Sequence, residues 1–352
     1  MEQQARKWFQ KCLIFLLCVF FGYTILFLVV DPYFHFHKPL PFLSYRLYDE
    51  RYTNDGISRH FAFNNLITGT SMAQNYKPSE FDSLFDTLSV KETFSGAGYQ
   101  ELSDNVERAL TYNPELKSVF YSVDYNGLIR DFDWCKYEDY PTYLYDDSVW
   151  NDVSYIYNKS IFYHGVCTNL VMTLTGQNST TMDDYSSWDK ETGLEYILQT
   201  YDRNNVATDI PSTLEPEEQE IVRKNIQTNL VDLANRHPDV QFYMIYTPYS
   251  ICYFDSLMQE GSMERQFAAE KMATEMLLGC ENVKLFNFFE QYDVITNLDN
   301  YRDKEHYSAR INSQILEWVA AEEGLVTKDN YLERLEQEKA FYFSYDYDKI
   351  YK

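Results

Sequence analysis

Residues 12–30 form an unbroken apolar run, bounded by Lys11 and Asp31. About 20 residues of helix cross the hydrocarbon core of a bilayer, so the run predicts one transmembrane helix. Arg6, Lys7 and Lys11 precede it and Asp31 follows, which predicts a cytoplasmic N-terminus and an extracytoplasmic remainder. The run is longer than a usual signal-peptide core, and no small-x-small cleavage site follows. A retained single-pass anchor in the cell membrane is therefore expected. Residues 31–63 are a juxtamembrane segment, in which Tyr33, Phe34 and His35-Phe36-His37 read as an interfacial aromatic belt.

From residue 64 the pattern alternates between short apolar runs and four-residue periodicity. Residues 65–68, 87–94 and 118–123 read as strands, and 240–246 and 283–288 continue the series. Between them lie helical stretches: Leu102, Val106 and Leu110 share one face, as do Ile221, Ile226, Leu230 and Leu233. Residues 263–278 form another helix. A last one, with Ser308 as its N-cap, carries Ile311, Ile315 and Val319 and stops at Gly324. Strands that alternate with helices predict an α/β fold, a three-layer α/β/α sandwich around a mostly parallel sheet. Residues 131–212 break the rhythm and read as an insertion with some helix, a lid or substrate platform over the carboxyl edge of the sheet. The tail, 324–352, is polar and then aromatic, without an assignable period.

Composition narrows the partners. The net charge of −24 repels nucleic-acid phosphates and disfavours a strongly polyanionic acceptor, leaving neutral glycans or cationic acyl groups easier to accommodate. Thirty-two Tyr and twenty-four Phe suit either sugar-stacking surfaces or an aromatic-rich core. Cys135, Cys167, Cys252 and Cys280 lie outside the apolar run without CxxC spacing, so isolated thiols and bridges are both open, and structural zinc is not expected. Nothing in the sequence calls for a cofactor.

The chemistry gathers around Asn64-Asn65-Leu66-Ile67-Thr68-Gly69-Thr70-Ser71. A buried strand ends in a glycine-containing turn and delivers a hydroxyl to the carboxyl edge of the sheet, where open α/β sheets place their ligands. A serine there needs a base, and Asp303-Lys304-Glu305-His306 supplies a carboxylate and an imidazole just before the last helix. In acyl transfer Ser71 would be nucleophile, His306 base and Asp303 the residue that orients the imidazole, with the Ser71 backbone N–H as one oxyanion donor. The remaining histidines, His60, His164 and His237, have no such partners and read as capping or packing residues.

Serine early and Asp-x-x-His late is the order of SGNH (GDSL-type) hydrolases. The chain resembles them over residues 64–323, most of all the membrane-anchored cell-surface branch that includes teichoic-acid D-alanylation and polysaccharide O-acetylation proteins. The resemblance implies a glycine donor after the second strand and an asparagine after the third, which places Gly96 and Asn126 in the oxyanion hole, with Gly98 as a rival to Gly96. Here the third block reads Asp124-Tyr125-Asn126-Gly127 and the first Gly69-Thr70-Ser71, departures from the commoner Gly-x-Asn-Asp and Gly-Asp-Ser. The resemblance also implies an esterase or acyltransferase acting on ester-linked acyl groups of envelope glycans, and a membrane-bound O-acyltransferase as partner. The rival expectation is an inactive SGNH fold that binds or assembles surface polysaccharide.

Overall fold

The computed structural model describes residues 2–136, 140–146, 148–188, 190–203, 205, 207 and 209–351. The chain divides into two compact units, Met1–Phe61 with Asp139–Thr181, and Ala62–Glu138 with Met182–Lys352.

The second unit is an α/β domain built on one six-stranded sheet. Its strands are β1 (Asn65–Gly69), β2 (Ser89–Thr93), β3 (Ser118–Val123), β4 (Gln241–Tyr246), β5 (Val283–Asn287) and β6 (Leu325–Val326). Their order is β2-β1-β3-β4-β5-β6, parallel except for β6 against β5. Every residue of β1, β2 and β3 is buried, although β2 reads Ser-Val-Lys-Glu-Thr and carries two charged side chains into the interior. The chain goes from β1 outward to β2 and then back across to β3. The carboxyl end of β1 is therefore a topological switch point, where neighbouring connections part and leave a crevice.

The two-residue β6 and the helix Tyr331–Ser344 come from the tail that sequence periodicity left unassigned. Two residues cannot display a period of two, and they join the sheet only because Leu285 and Phe286 offer them an edge. The helix after Asp303-x-x-His306 runs Ala309–Ala320. Ser308 stands at its N-cap position, but its side chain makes no capping bond.

The first unit holds the apolar helix Glu2–Val30, which is long and apolar enough to cross a membrane. Its end is not free. Phe27 and Val30 pack with Tyr33, Tyr155, Ile161 and Val166 in a core that the segment Asp139–Thr181 helps to build. Asp31 organises the following turn. Its buried carboxylate accepts from the N–H of His35, Phe36 and His37 at 3.1, 2.7 and 3.0 Å and from the Tyr155 hydroxyl at 2.8 Å. Tyr33 and Phe34 are thus core residues of this unit rather than an interfacial belt. His35 pairs with the Asp152 carboxylate at 2.9 Å.

The expected insertion is split between the units, Asp139–Thr181 packing with the N-terminal segment and the residues from Met182 onward with the sheet. Among the described residues no disulfide forms.

Candidate active site

Strand β1 ends at Gly69, whose φ of +150° disfavours any side chain. A Cβ there would also stand 2.7 Å from Cβ of Ser122 on β3. The sharp exit that glycine permits starts the single turn Ser71–Ala73 and brings the Ser71 hydroxyl out at the crevice.

The opposite wall is the loop before the helix Ala309–Ala320. A bridge between Tyr301 and Tyr307, with the Arg302 N–H donating to the His306 carbonyl at 2.8 Å, folds residues 301–307 into a tight loop. The Ser250 hydroxyl and N–H hold it by the Lys304 carbonyl at 2.7 and 3.1 Å. The Asn312 amide donates to the Met72 carbonyl at 3.0 Å, tying the helix Ala309–Ala320 to the serine turn.

These constraints bring three of the expected residues together. Ser71 Oγ lies 2.7 Å from His306 Nε2, and His306 Nδ1 lies 2.9 and 3.0 Å from the two oxygens of Asp303. Asp303 Oδ1 also accepts from the backbone N–H of Glu305 and His306, at 2.9 and 2.8 Å. Burial pushes the Asp303 carboxyl up, but the bond and charge of His306 and the two N–H groups outweigh it, so its pKa falls below the ordinary value. For His306, burial pushes down, while Asp303, Glu305 and Asp124 pull up; the balance raises it above 6.5. With Nδ1–H committed to Asp303, Nε2 is left to accept from Ser71.

Serine, histidine and Asp303 face a cavity of about 450 Å³. Gly96 lines it in a left-handed conformation, φ +67°. Gly98 is not among the lining residues; it caps the helix Tyr99–Tyr112, and a Cβ there would stand 2.0 Å from the Trp134 carbonyl oxygen. Asn126 sits in the turn Tyr125–Gly127 and is not among the residues that line the cavity. Its backbone N–H donates to Asp124 Oδ1 at 3.2 Å, so the turn after β3 closes on Asp124.

Much of the rest of the lining comes from residues that sequence reasoning passed over, among them Trp188 and the cations Lys136, Lys190 and Arg302. Trp188 meets the His306 ring edge-on, with centroids 6.0 Å apart. Its segment is stitched to the serine turn. The Trp188 N–H donates to Asn75 Oδ1 at 2.8 Å, and Asp183 accepts from the Ser79 N–H and hydroxyl at 3.0 and 2.6 Å. Beneath them the fully buried Lys91 of β2 donates to the carbonyls of Gln74, Tyr76 and Asp183 at 2.6, 3.0 and 3.1 Å. A lysine in a strand that otherwise reads as buried was the available signal for this clamp, since a buried ammonium must find acceptors.

No family description matches the chain, and no curated protein does. Among solved structures, one from Streptococcus pneumonia, provisionally named a platelet activating factor, is similar over 77% of this chain and 91% of its own. Identity is 12% and the TM-score 0.40, a likeness too distant to assign fold or function.

Proposed function

We propose that the chain is a membrane-anchored serine esterase or O-acyltransferase of the SGNH type, acting outside the cytoplasm on ester-linked acyl groups of envelope glycans. One observation carries the reading: the relay from Ser71 Oγ through His306 to Asp303, with both links under 3 Å, opens onto the switch-point cavity. Helices on both faces of the sheet, the three-layer arrangement, belong to the same reading.

In this mechanism Ser71 Oγ attacks the ester carbonyl while His306 Nε2 takes its proton. Asp303 holds the Nδ1 proton and stabilises the imidazolium. The oxyanion is received by the backbone N–H groups of Ser71 and Gly96, the two candidate donors that line the cavity. His306 then returns the proton to the leaving alkoxide, which gives an acyl-serine and a free hydroxyl. Water, or a sugar hydroxyl in transfer, gives up its proton to His306 and attacks the acyl group; the acyl–Oγ bond then breaks as His306 returns that proton to Ser71, which releases the acid or the new ester. A membrane-bound O-acyltransferase is the partner that would deliver the donor for transfer.

The cavity amends the expectation drawn from net charge. Lys136, Lys190 and Arg302 line it, so an anionic group close to the acylated hydroxyl suits it better than a cationic acyl group. A field averaged over the whole chain does not describe a crevice lined by three cations and one carboxylate, Asp303.

Fluorophosphonate labelling of the full-length protein tests the reading. Label on Ser71, absent in His306→Ala, together with turnover of a small acyl ester, is the expected result. A protein that neither labels nor turns over ester is instead a binding or assembly factor for surface polysaccharide.

A further inference from the structure

We propose that residues 157–163 enter the outer leaflet of the membrane, and that the cleft between them and the N-terminal helix takes an acyl chain of a phospholipid. The inference rests on reading the helix Glu2–Val30 as the anchor.

Length forces the issue. The charge-free run 12–30 spans about 28 Å at about 1.5 Å per residue. That is nearly the whole hydrocarbon thickness of about 30 Å, so almost all of the run is needed inside the bilayer. Sliding the helix outward would draw Lys11, then Lys7 and Arg6, into hydrocarbon, where an unpaired charge is costly. Yet the protein's own residues grip this helix well below its outer end. The Phe20 ring stacks on Tyr157 at 5.4 Å, and Tyr23 meets Tyr157 and Phe162 at 5.6 and 4.8 Å. The Tyr23 hydroxyl donates to the Ile156 carbonyl at 2.8 Å, and the Thr24 and Tyr157 hydroxyls share a bond of 2.7 Å. Phe20 lies roughly 15 Å along the axis from Val30. Whatever touches Phe20 and Tyr23 shares their depth.

The gripping segment suits that depth. Between Lys159 and Asp183 the chain carries no Asp, Glu, Lys or Arg, although charged residues make up 24% of the whole. Residues 159–174 are continuously helical, with a π turn at Phe162–Cys167, so the backbone satisfies itself without water. Apolar side chains nonetheless face outward: Tyr163 is 57% exposed and Val171 55%.

Leu16, Phe20 and Tyr23 form one wall of a cleft of about 740 Å³, and Tyr157, Phe162 and Tyr163 the other. Its volume is that of a small-molecule site, and its walls are apolar. One cation, Lys159, lines it. An alkyl stem laid along the wall can lift the ammonium toward the headgroup layer, where phosphate is the counter-charge. Apolar walls with a single cation match a phospholipid better than a neutral lipid.

The test uses full-length protein in nanodiscs that contain a phospholipid with a photoactivatable group in mid-chain. Cross-links on both the N-terminal helix and the peptide holding residues 157–163 are expected. Lys159→Glu should lower those on the peptide about fivefold while sparing the helix. Cross-links on the helix alone overturn the proposal, as does labelling of the peptide only by a headgroup-labelled lipid. An unchanged yield in Lys159→Glu overturns the phosphate assignment. Absence of cross-links on the helix itself overturns the anchor reading beneath it.

Discussion

Two sets of carboxylates stand near the carboxyl edge of the same sheet, and they meet opposite fates. Asp303, at the open crevice beside β1, keeps its charge because His306 and two backbone N–H groups answer it. Glu270 and Glu338 are buried near the end of β5. The Asn287 amide donates to both, at 2.8 and 3.0 Å, and the Tyr125 hydroxyl donates to Glu270 at 2.6 Å. Burial pushes Glu270 up to about 7 and Glu338 well above its ordinary value, and a hydrogen bond joins the two carboxyls. Neutral donors cannot replace water around two anions, so this pair holds a proton. The tail helix Tyr331–Ser344, which carries Glu338, covers this end, and the space left among these side chains is about 10 Å³. One edge thus offers a charged relay with room for a substrate, and a sealed pair with room for about one water. A partner that carries charge, together with access, separates a reacting carboxylate from a structural one.

The strongest way to break this contrast is at the relay. Ser71→Ala or His306→Ala should each lower kcat on a small acyl ester by roughly 10³ to 10⁶-fold, with the double variant no worse. Glu270→Gln, at the sealed end, should leave kcat within about twofold. Equal losses at both ends would show the two sets to be one functional network.

Stability against pH reads the other side. A group whose pKa is raised by folding stabilises the fold below its unfolded value and loses that contribution as pH rises through its folded value. For Glu270 the loss falls between about 4.5 and about 7. It amounts to about 3 kcal/mol. Glu338→Gln should therefore flatten the fall in chemical-denaturation stability between pH 5 and pH 8. A wild-type protein equally stable at both pH values would contradict the protonated pair.

Smaller effects sharpen the picture of the open end. Arg302→Ala and Lys190→Ala should each raise KM about fivefold for an ester bearing a neighbouring anionic group, and leave KM for a neutral ester unchanged, as expected for about 1 kcal/mol of local attraction. The smallest effect is a displaced titration. In the proposed mechanism the base is the neutral imidazole, so kcat/KM should rise with pH through an apparent pKa above 6.5. Asp124→Asn removes one of the charges that raise it, and the midpoint should move down by a fraction of a unit. An upward move would show that Asp124 does not act through its charge.

Much of the frame was legible because buried parallel strands are short apolar runs between turn signals. The expected strand 118–123 coincides with β3, and 65–68 differs from β1 by the glycine at its end. Ser71, His306 and Asp303 were legible because each sits at a boundary that local pattern marks, a strand end or a helix start. Asn126 was placed by counting from a strand end; in the structure its backbone N–H bonds Asp124, and it is not among the residues that line the cavity. Lys136, Lys190 and Arg302 come from three separate segments, and no local pattern relates them.

Sequence by itself determined the apolar helix, the β/α rhythm, and the presence of a hydroxyl, an imidazole and a carboxylate at element boundaries. These follow from composition and period, which are local properties. Tertiary structure alone decided that Ser71 and His306 stand 2.7 Å apart, that local cations surround them in a chain of net charge −24, and that the carboxyls of Glu270 and Glu338 share a sealed end. It also decided that Asp139–Thr181 packs with the N-terminal helix rather than with the sheet. Charge, proton affinity and packing partner depend on distance in space, and a linear chain does not carry that distance until strands order themselves β2-β1-β3 and open a crevice between their connections.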